Sequence, residues 1–226
     1  VTLILCLKGS DGMVLASDSR GTFGDPREVT AQNDNMKKLY AVSKYVGILV
    51  AGQGELGATI MDELAKEITE NKAEGATLIM NLARDLLKLK FGEWFPKFLI
   101  QPMPNAQAPL RPGLSLIISG YDLDSSGTPK TQRIYSLNSM LDFAPMLHDY
   151  GFALQGVAQY ALYLLNRLYT PNSEVDNLLP LAAYVITETA SQDGKVGGPV
   201  QMMKITLKDG CSTLNSEDIN RIIESN

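Results

Sequence analysis

Two short apolar runs open the chain, residues 2–7 (TLILCL) and 13–16 (MVLA), divided by the turn-forming KGSDG of residues 8–12. The pattern predicts a β-hairpin in a buried sheet, with its second strand ending in Asp18-Ser19-Arg20. A loop follows over residues 21–26, and residues 27–36 are polar and without periodicity. Residues 37–42 and 45–52 read as a second hairpin that turns at residues 42–45. Gly52-Gln53-Gly54 then opens a helix with Leu56, Ile60, Leu64 and Ile68 as its apolar stripe. That helix stops near residues 71–75. A second helix starts with Thr77 as N-cap and carries Leu78, Leu82, Leu86 and Leu89.

Residues 96–113 contain five prolines, which exclude a helix interior or a central strand. We read them as an extended surface insertion whose Phe98, Leu99, Ile100 and Met103 pack on something, a neighbouring subunit being one choice. Residues 114–121 (LSLIISGY) predict a strand buried on both faces, paired through a turn at residues 124–127 with residues 131–137. Residues 136–153 show no clear period. A third helix follows Gly156 (Val157, Tyr160, Ala161, Leu164, Leu165, Leu168). A fourth carries Leu179, Ala183, Ile186 and Thr189, with Pro180 implying a start near Asn177 or a kink. Residues 200–207 (VQMMKITL) predict a last strand. Ser216 caps a short final helix with Ile219, Ile222 and Ile223 inward. Strands, two helices, strands, two helices, strands: this order predicts an α+β fold, a four-layer α-β-β-α sandwich of two antiparallel sheets flanked by helix pairs.

Composition narrows the classes. The chain has 226 residues, 45% of them hydrophobic, and a formal charge of −5. That fits a single domain over 1–226 with a sizeable core, and argues against nucleic acid or an anionic membrane as partner. Cys6 and Cys211 sit in apolar surroundings and read as buried thiols rather than a disulfide. The N-terminal run is too short, and lacks the basic flank, for a signal peptide. No stretch is long enough to span a bilayer, so the expectation is a cytoplasmic protein. His148 is the only histidine, and no CxxC or HExxH occurs, so no metal or other cofactor is expected.

The candidate chemistry lies in the first hairpin. Antiparallel pairing brings Thr2, at the start of strand one, to the same end as Asp18, at the end of strand two. A hydroxyl with an adjacent main-chain amine thus lies beside a carboxylate, the geometry of an N-terminal nucleophile that uses the chain's own amine as base.

Thr2, LASDSR at residues 15–20, Lys37-Lys38-Leu39, Ala51-Gly52 before the first helix, and Asp193 before Gly197-Gly198 together resemble a proteasome-type β subunit, in the same order along nearly the whole chain. The resemblance implies Thr2 as nucleophile and its freed amine as base. It makes Asp18 and Lys38 an ion pair beside the hydroxyl, Gly52 an oxyanion donor and Asp193 an aid in orienting the amine. Two serines that the family usually has fall here at Gly156 and Val196, with Gln155 as a polar substitute for one. Gly21, Met36, Val50, Gly54 and Ala58 match the substrate pocket, which is then apolar and favours cleavage after hydrophobic residues. Implied partners are peptide or unfolded-protein substrate, further copies in a homo-oligomeric ring or double ring, and an ATP-dependent unfoldase. A catalytically silent scaffold on the same fold, and an amidohydrolase or transpeptidase with a specific substrate, remain open beside the peptidase. Val1 precedes the nucleophile and would hold its nitrogen as an amide. The active species is therefore expected to begin at Thr2.

Overall fold

A computed structural model describes residues 2–24, 30–104 and 107–225. Val1, part of the loop after Gly24 and two residues of the proline-rich insertion lie outside them. Five strands, β1 (Leu3–Lys8), β2 (Gly12–Ser17), β10 (Phe152–Gly156), β11 (Gln201–Thr206) and β12 (Gly210–Thr213), form an antiparallel sheet in the order β10-β1-β2-β11-β12. A second antiparallel sheet has the order β5-β6-β7-β8-β9, from β5 (Leu39–Ser43), β6 (Val46–Gly52), β7 (Leu114–Leu123), β8 (Pro129–Asn138) and β9 (Met146–Leu147). A two-stranded ribbon, β3 (Gly21–Gly24) with β4 (Thr30–Asn33), stands apart.

The sheets stack face to face. Helices α1 (Gly54–Glu70) and α2 (Ala76–Trp94) cover the second sheet, while α3 (Ala158–Leu168), α4 (Val175–Gln192) and α5 (Ser216–Glu224) cover the first. This is the predicted four-layer sandwich. The uninterrupted apolar run of β1 follows from it: Leu3, Leu5 and Leu7 face the helices while Ile4 and Cys6 face the other sheet. Each side of the strand is core, and a fully buried Leu there contributes about 1.5–3 kcal/mol.

The first hairpin, α1 and α4's buried face match the sequence expectations. Other details differ for physical reasons. The N-cap of α2 is Gly75 rather than Thr77. Thr77 lies in the first turn, where its N–H and hydroxyl both donate to the Asp122 carboxylate of β7, at 2.8 and 2.7 Å. A long-range carboxylate thus replaces a local cap. Leu78 and Leu89 are exposed, and the buried stripe is Ile79, Met80, Ala83, Leu86, Leu87 and Phe91. Tyr160 and Leu168 of α3 are exposed as well. Helix α4 starts at Val175 and carries Pro180 inside it. Asn215, not Ser216, caps α5, its side chain accepting from the Asp218 N–H at 2.9 Å. The ribbon, β9, β10 and β12 had no expected counterpart, because strands this short leave little alternation to read.

Candidate active site

Everything in the site converges on Asp18. Its main-chain N–H reaches the Leu3 carbonyl at 3.2 Å, which continues the β1–β2 pairing by one residue. The carboxylate is fully buried. Oδ1 accepts from the Leu3 N–H at 3.0 Å and from Lys38 Nζ at 2.7 Å. Oδ2 accepts from the Arg20 N–H at 3.2 Å and the Gly197 N–H at 3.1 Å. A buried carboxylate is tolerable only with such a set of donors, one of them a cation.

Lys37 and Lys38 part company here. Lys37 is exposed, its ammonium 4.5 Å from the centre of the Tyr40 ring, whereas Lys38 is only 6% exposed. Consecutive extended residues point to opposite sides, so only one of the pair can turn inward. Lys38 also donates to the Arg20 carbonyl at 2.7 Å. Burial draws its ammonium below the usual lysine range, with Asp18 and then Asp34 opposing that shift. Beside it, Arg20 grips Asp34 with a two-toothed fork, Nε and Nη2 donating at 2.7 and 2.8 Å, and its Nη1 reaches the Gly194 carbonyl at 3.0 Å. Their mutual hydrogen bonds, and then their opposite charges, hold Asp34 below and Arg20 above their ordinary values against a smaller opposing effect of burial.

A cleft of about 170 Å³ opens beside Lys38. Thr2, Lys38 and Gly52 line it together with Gly21, Met36, Val50, Gly54 and Ala58. Thr22, Phe23, Lys37, Tyr40, Ala51, Gln53 and Glu55 complete the wall, and of these only Lys37 and Ala51 were picked out from the sequence, as parts of motifs. Met36 lies pressed between Gly21 and Gly54, where a side chain on either glycine would collide with it. Gly52 takes φ +121°, and its neighbour Gln53 donates its N–H to the Gly113 carbonyl at 3.0 Å. The proline-rich insertion therefore re-enters the sheet against the floor of the cleft.

Asp193 is half-buried and does not line the cleft. Its Oδ1 accepts from the Lys195 N–H at 2.9 Å, and its carbonyl from Val196 at 2.9 Å, so it shapes the 193–198 turn. Among the described residues it has no hydrogen bond to Thr2. Gly156 ends β10 opposite Leu3 with φ +96°, and a Cβ there would run into the Thr2 carbonyl oxygen. The same carbonyl accepts from the Val157 N–H at 2.9 Å. Val196 is fully buried in the apolar layer between the first sheet and α4. Gln155 points its side-chain carbonyl at the Asn138 amide, 3.4 Å away.

Other reactive groups are occupied elsewhere. Cys6 donates to the Ser119 hydroxyl at 3.0 Å, and burial pushes its thiol up to about 12. Among the described residues, no group of three or more His, Cys, Asp or Glu side chains converges to hold a metal ion, and no helix is long and apolar enough to cross a membrane.

Residues 2–103 match the family model described as proteasome subunit. The proteasome subunit beta of Saccharopolyspora erythraea is 26% identical over 227 residues, covering 96% of this chain and 74% of that protein. That of Archaeoglobus profundus is 24% identical over 225 residues, covering 95% and 88%. That of Saccharomonospora viridis is 25% identical, covering 99% and 75%. Family match over residues 2–103, relatives and layered fold agree with the motifs of the first hairpin, and the chain is similar to the proteasome-type β subunits.

Proposed function

We propose that the chain is a threonine-type N-terminal-nucleophile peptidase working inside a ring assembly. The observation that carries this reading is that Thr2 and Lys38 line one cleft, with Lys38 paired to the buried Asp18. The Thr2 hydroxyl attacks the scissile carbonyl, and its proton passes to the Thr2 amine, directly or through a water. The Lys38 ammonium favours the developing alkoxide, and the Gly52 N–H receives the oxyanion. The C–N bond breaks as the amine proton moves to the leaving group. Water then hydrolyses the ester on Thr2 and restores the hydroxyl. A free α-amine ordinarily titrates near ~7.7–8.0 and is partly neutral at neutral pH. Met36, Val50 and Ala58 make the cleft apolar, which supports cleavage after hydrophobic residues. In this reading Asp193 acts through the 193–198 turn.

The chemistry requires the nitrogen of Thr2 as an amine, so the active species begins at Thr2. The test is N-terminal sequencing of protein from its native host, with mapping of the adduct formed by a β-lactone. The expected result is one adduct, on Thr2, in chains that begin there. A second reading, a silent scaffold subunit, is favoured by one observation: glycine and valine, not hydroxyls, stand at positions 156 and 196. Native chains that keep a residue before Thr2 and take up no lactone would establish the scaffold.

A further inference from the structure

Residues 34–38 carry both Lys38, beneath the cleft, and Met36, in its wall, yet they precede β5 and belong to no sheet. Their main chain is tied down elsewhere. The Met36 N–H donates to the Ser19 carbonyl at 3.0 Å, and the Lys38 carbonyl accepts from Val50 at 2.9 Å. The other two main-chain groups of Met36 and Lys38 go to a single side chain. The Lys38 N–H donates to Gln201 Oε1 at 3.1 Å, and Gln201 Nε2 donates to the Met36 carbonyl at 2.7 Å.

Gln201 is the first residue of β11 and pairs with Ser17. It shares the inter-sheet side of its strand with Met203 and Ile205, which are core. A primary amide at the edge of that layer is unfavourable unless both its groups are bonded. Both are, and both to the same three residues of chain. The side chain thus acts as a substitute strand, supplying one acceptor and one donor in the spacing of a ladder.

We propose that Gln201 is a positioning and specificity-determining residue, its two amide bonds fixing Lys38 for the chemistry and Met36 for the fit of the substrate side chain. The proposal deepens the peptidase reading and rests on it for its kinetic consequences. A shift of about 1 Å at a reacting group can cost ~100-fold in rate. Two variants separate the two ends. Gln201→Leu removes both bonds. Gln201→Glu keeps an acceptor for the Lys38 N–H but turns a carboxylate oxygen on the Met36 carbonyl.

The test measures steady-state hydrolysis of peptides with large and small hydrophobic residues before the scissile bond. It also records 13C-methyl methionine spectra of the assembled protein, with the Met36 signal identified by its loss in Met36→Leu. In Gln201→Leu, kcat falls by about tenfold or more and KM for the large substrate rises. In Gln201→Glu, kcat holds within a few-fold while KM for the large substrate alone rises. The Met36 methyl moves in both variants while those of Met61 and Met80, in the opposite core, stay fixed. A merely structural role lowers thermal stability and leaves the KM ratio and the Met36 signal alone. If Gln201→Leu does not fold, Gln201→Glu decides: an unmoved Met36 methyl with an unchanged KM ratio overturns the proposal. A parent protein that hydrolyses no peptide would overturn the peptidase reading, and the methyl signal would then still decide whether the clamp exists.

Discussion

Thr2 has two unlike flanks. On one side Asp18 gathers three main-chain N–H donors and the Lys38 ammonium in a fully buried cluster. On the other side stands Gly156, whose backbone lies against the Thr2 carbonyl. Charge chemistry governs the first flank and chain geometry the second. The difference is that one carboxylate gathers the donors of the first flank. The Thr2 carbonyl is held by the Val157 N–H, just past the end of β10.

The largest expected effect lies on the charged flank. Lys38→Met should cut acylation of Thr2 by ~100-fold or more, as loss of a transition-state donor does elsewhere. Lys37→Ala should change it by less than about twofold. Removing one partner of a buried pair commonly costs about 3–5 kcal/mol. The three main-chain donors left on Asp18 should keep this loss at the low end, measurable by denaturant melts. Equal activity losses in both variants, with folding intact, would erase the contrast between the flanks.

The geometric flank predicts a smaller effect of a different kind. Gly156→Ser and Gly156→Ala should destabilise alike, by at least about 1–3 kcal/mol, because a non-glycine residue at this φ is strained whatever its side chain. The crowded Thr2 carbonyl adds to that. Val196→Ser, in the core beside the turn that serves Asp18, should cost about 2 kcal/mol through lost apolar burial and a new buried hydroxyl. Equilibrium melts and lactone labelling of all three check this. A stable Gly156→Ser protein with raised activity would show that the second flank lacks chemistry rather than room.

The smallest effect serves as a control away from both flanks. His148 bridges the Ser136 and Tyr150 hydroxyls at 2.9 and 2.7 Å, and burial holds its pKa below the ordinary 6.5. As pH falls through 6.5, the unfolded chain binds the proton first, so stability declines from there down to the folded value. His148→Gln should flatten this slope, and Lys38→Met and Gly156→Ser should leave it unchanged. Melting curves between pH 7 and pH 5 measure it.

The layered fold was largely legible because most of its helices and long strands carry periodic apolar positions, as in α1 or residues 114–121. The misses have common causes. Leu78 and Leu89 fit a stripe by spacing alone, but the second sheet meets α2 on a face one residue away, through Ile79 and Met80. The cap of α2 comes from Asp122, 45 residues beyond Thr77, where local pattern carries no signal. In the site, the apolar cleft positions were readable residue by residue through the resemblance. Arg20 stood in plain view, but its partner Asp34 lies in a stretch without periodicity. Gln201 did leave a trace: it is the one polar residue where Met203 and Ile205 set an apolar alternation.

The ligands of the Asp18 carboxylate also set a schedule. Three of its donors, on Leu3, Arg20 and Lys38, leave the ribosome early, but the fourth, the Gly197 N–H, is made only in the last seventh of the chain. Until that segment has been synthesised and has folded back across β2, the acid beneath Thr2 lacks one of its four donors. A nascent chain therefore carries Thr2 long before the full setting of Asp18 exists. Completion of the cluster is tied to synthesis of the segment that carries Gly197.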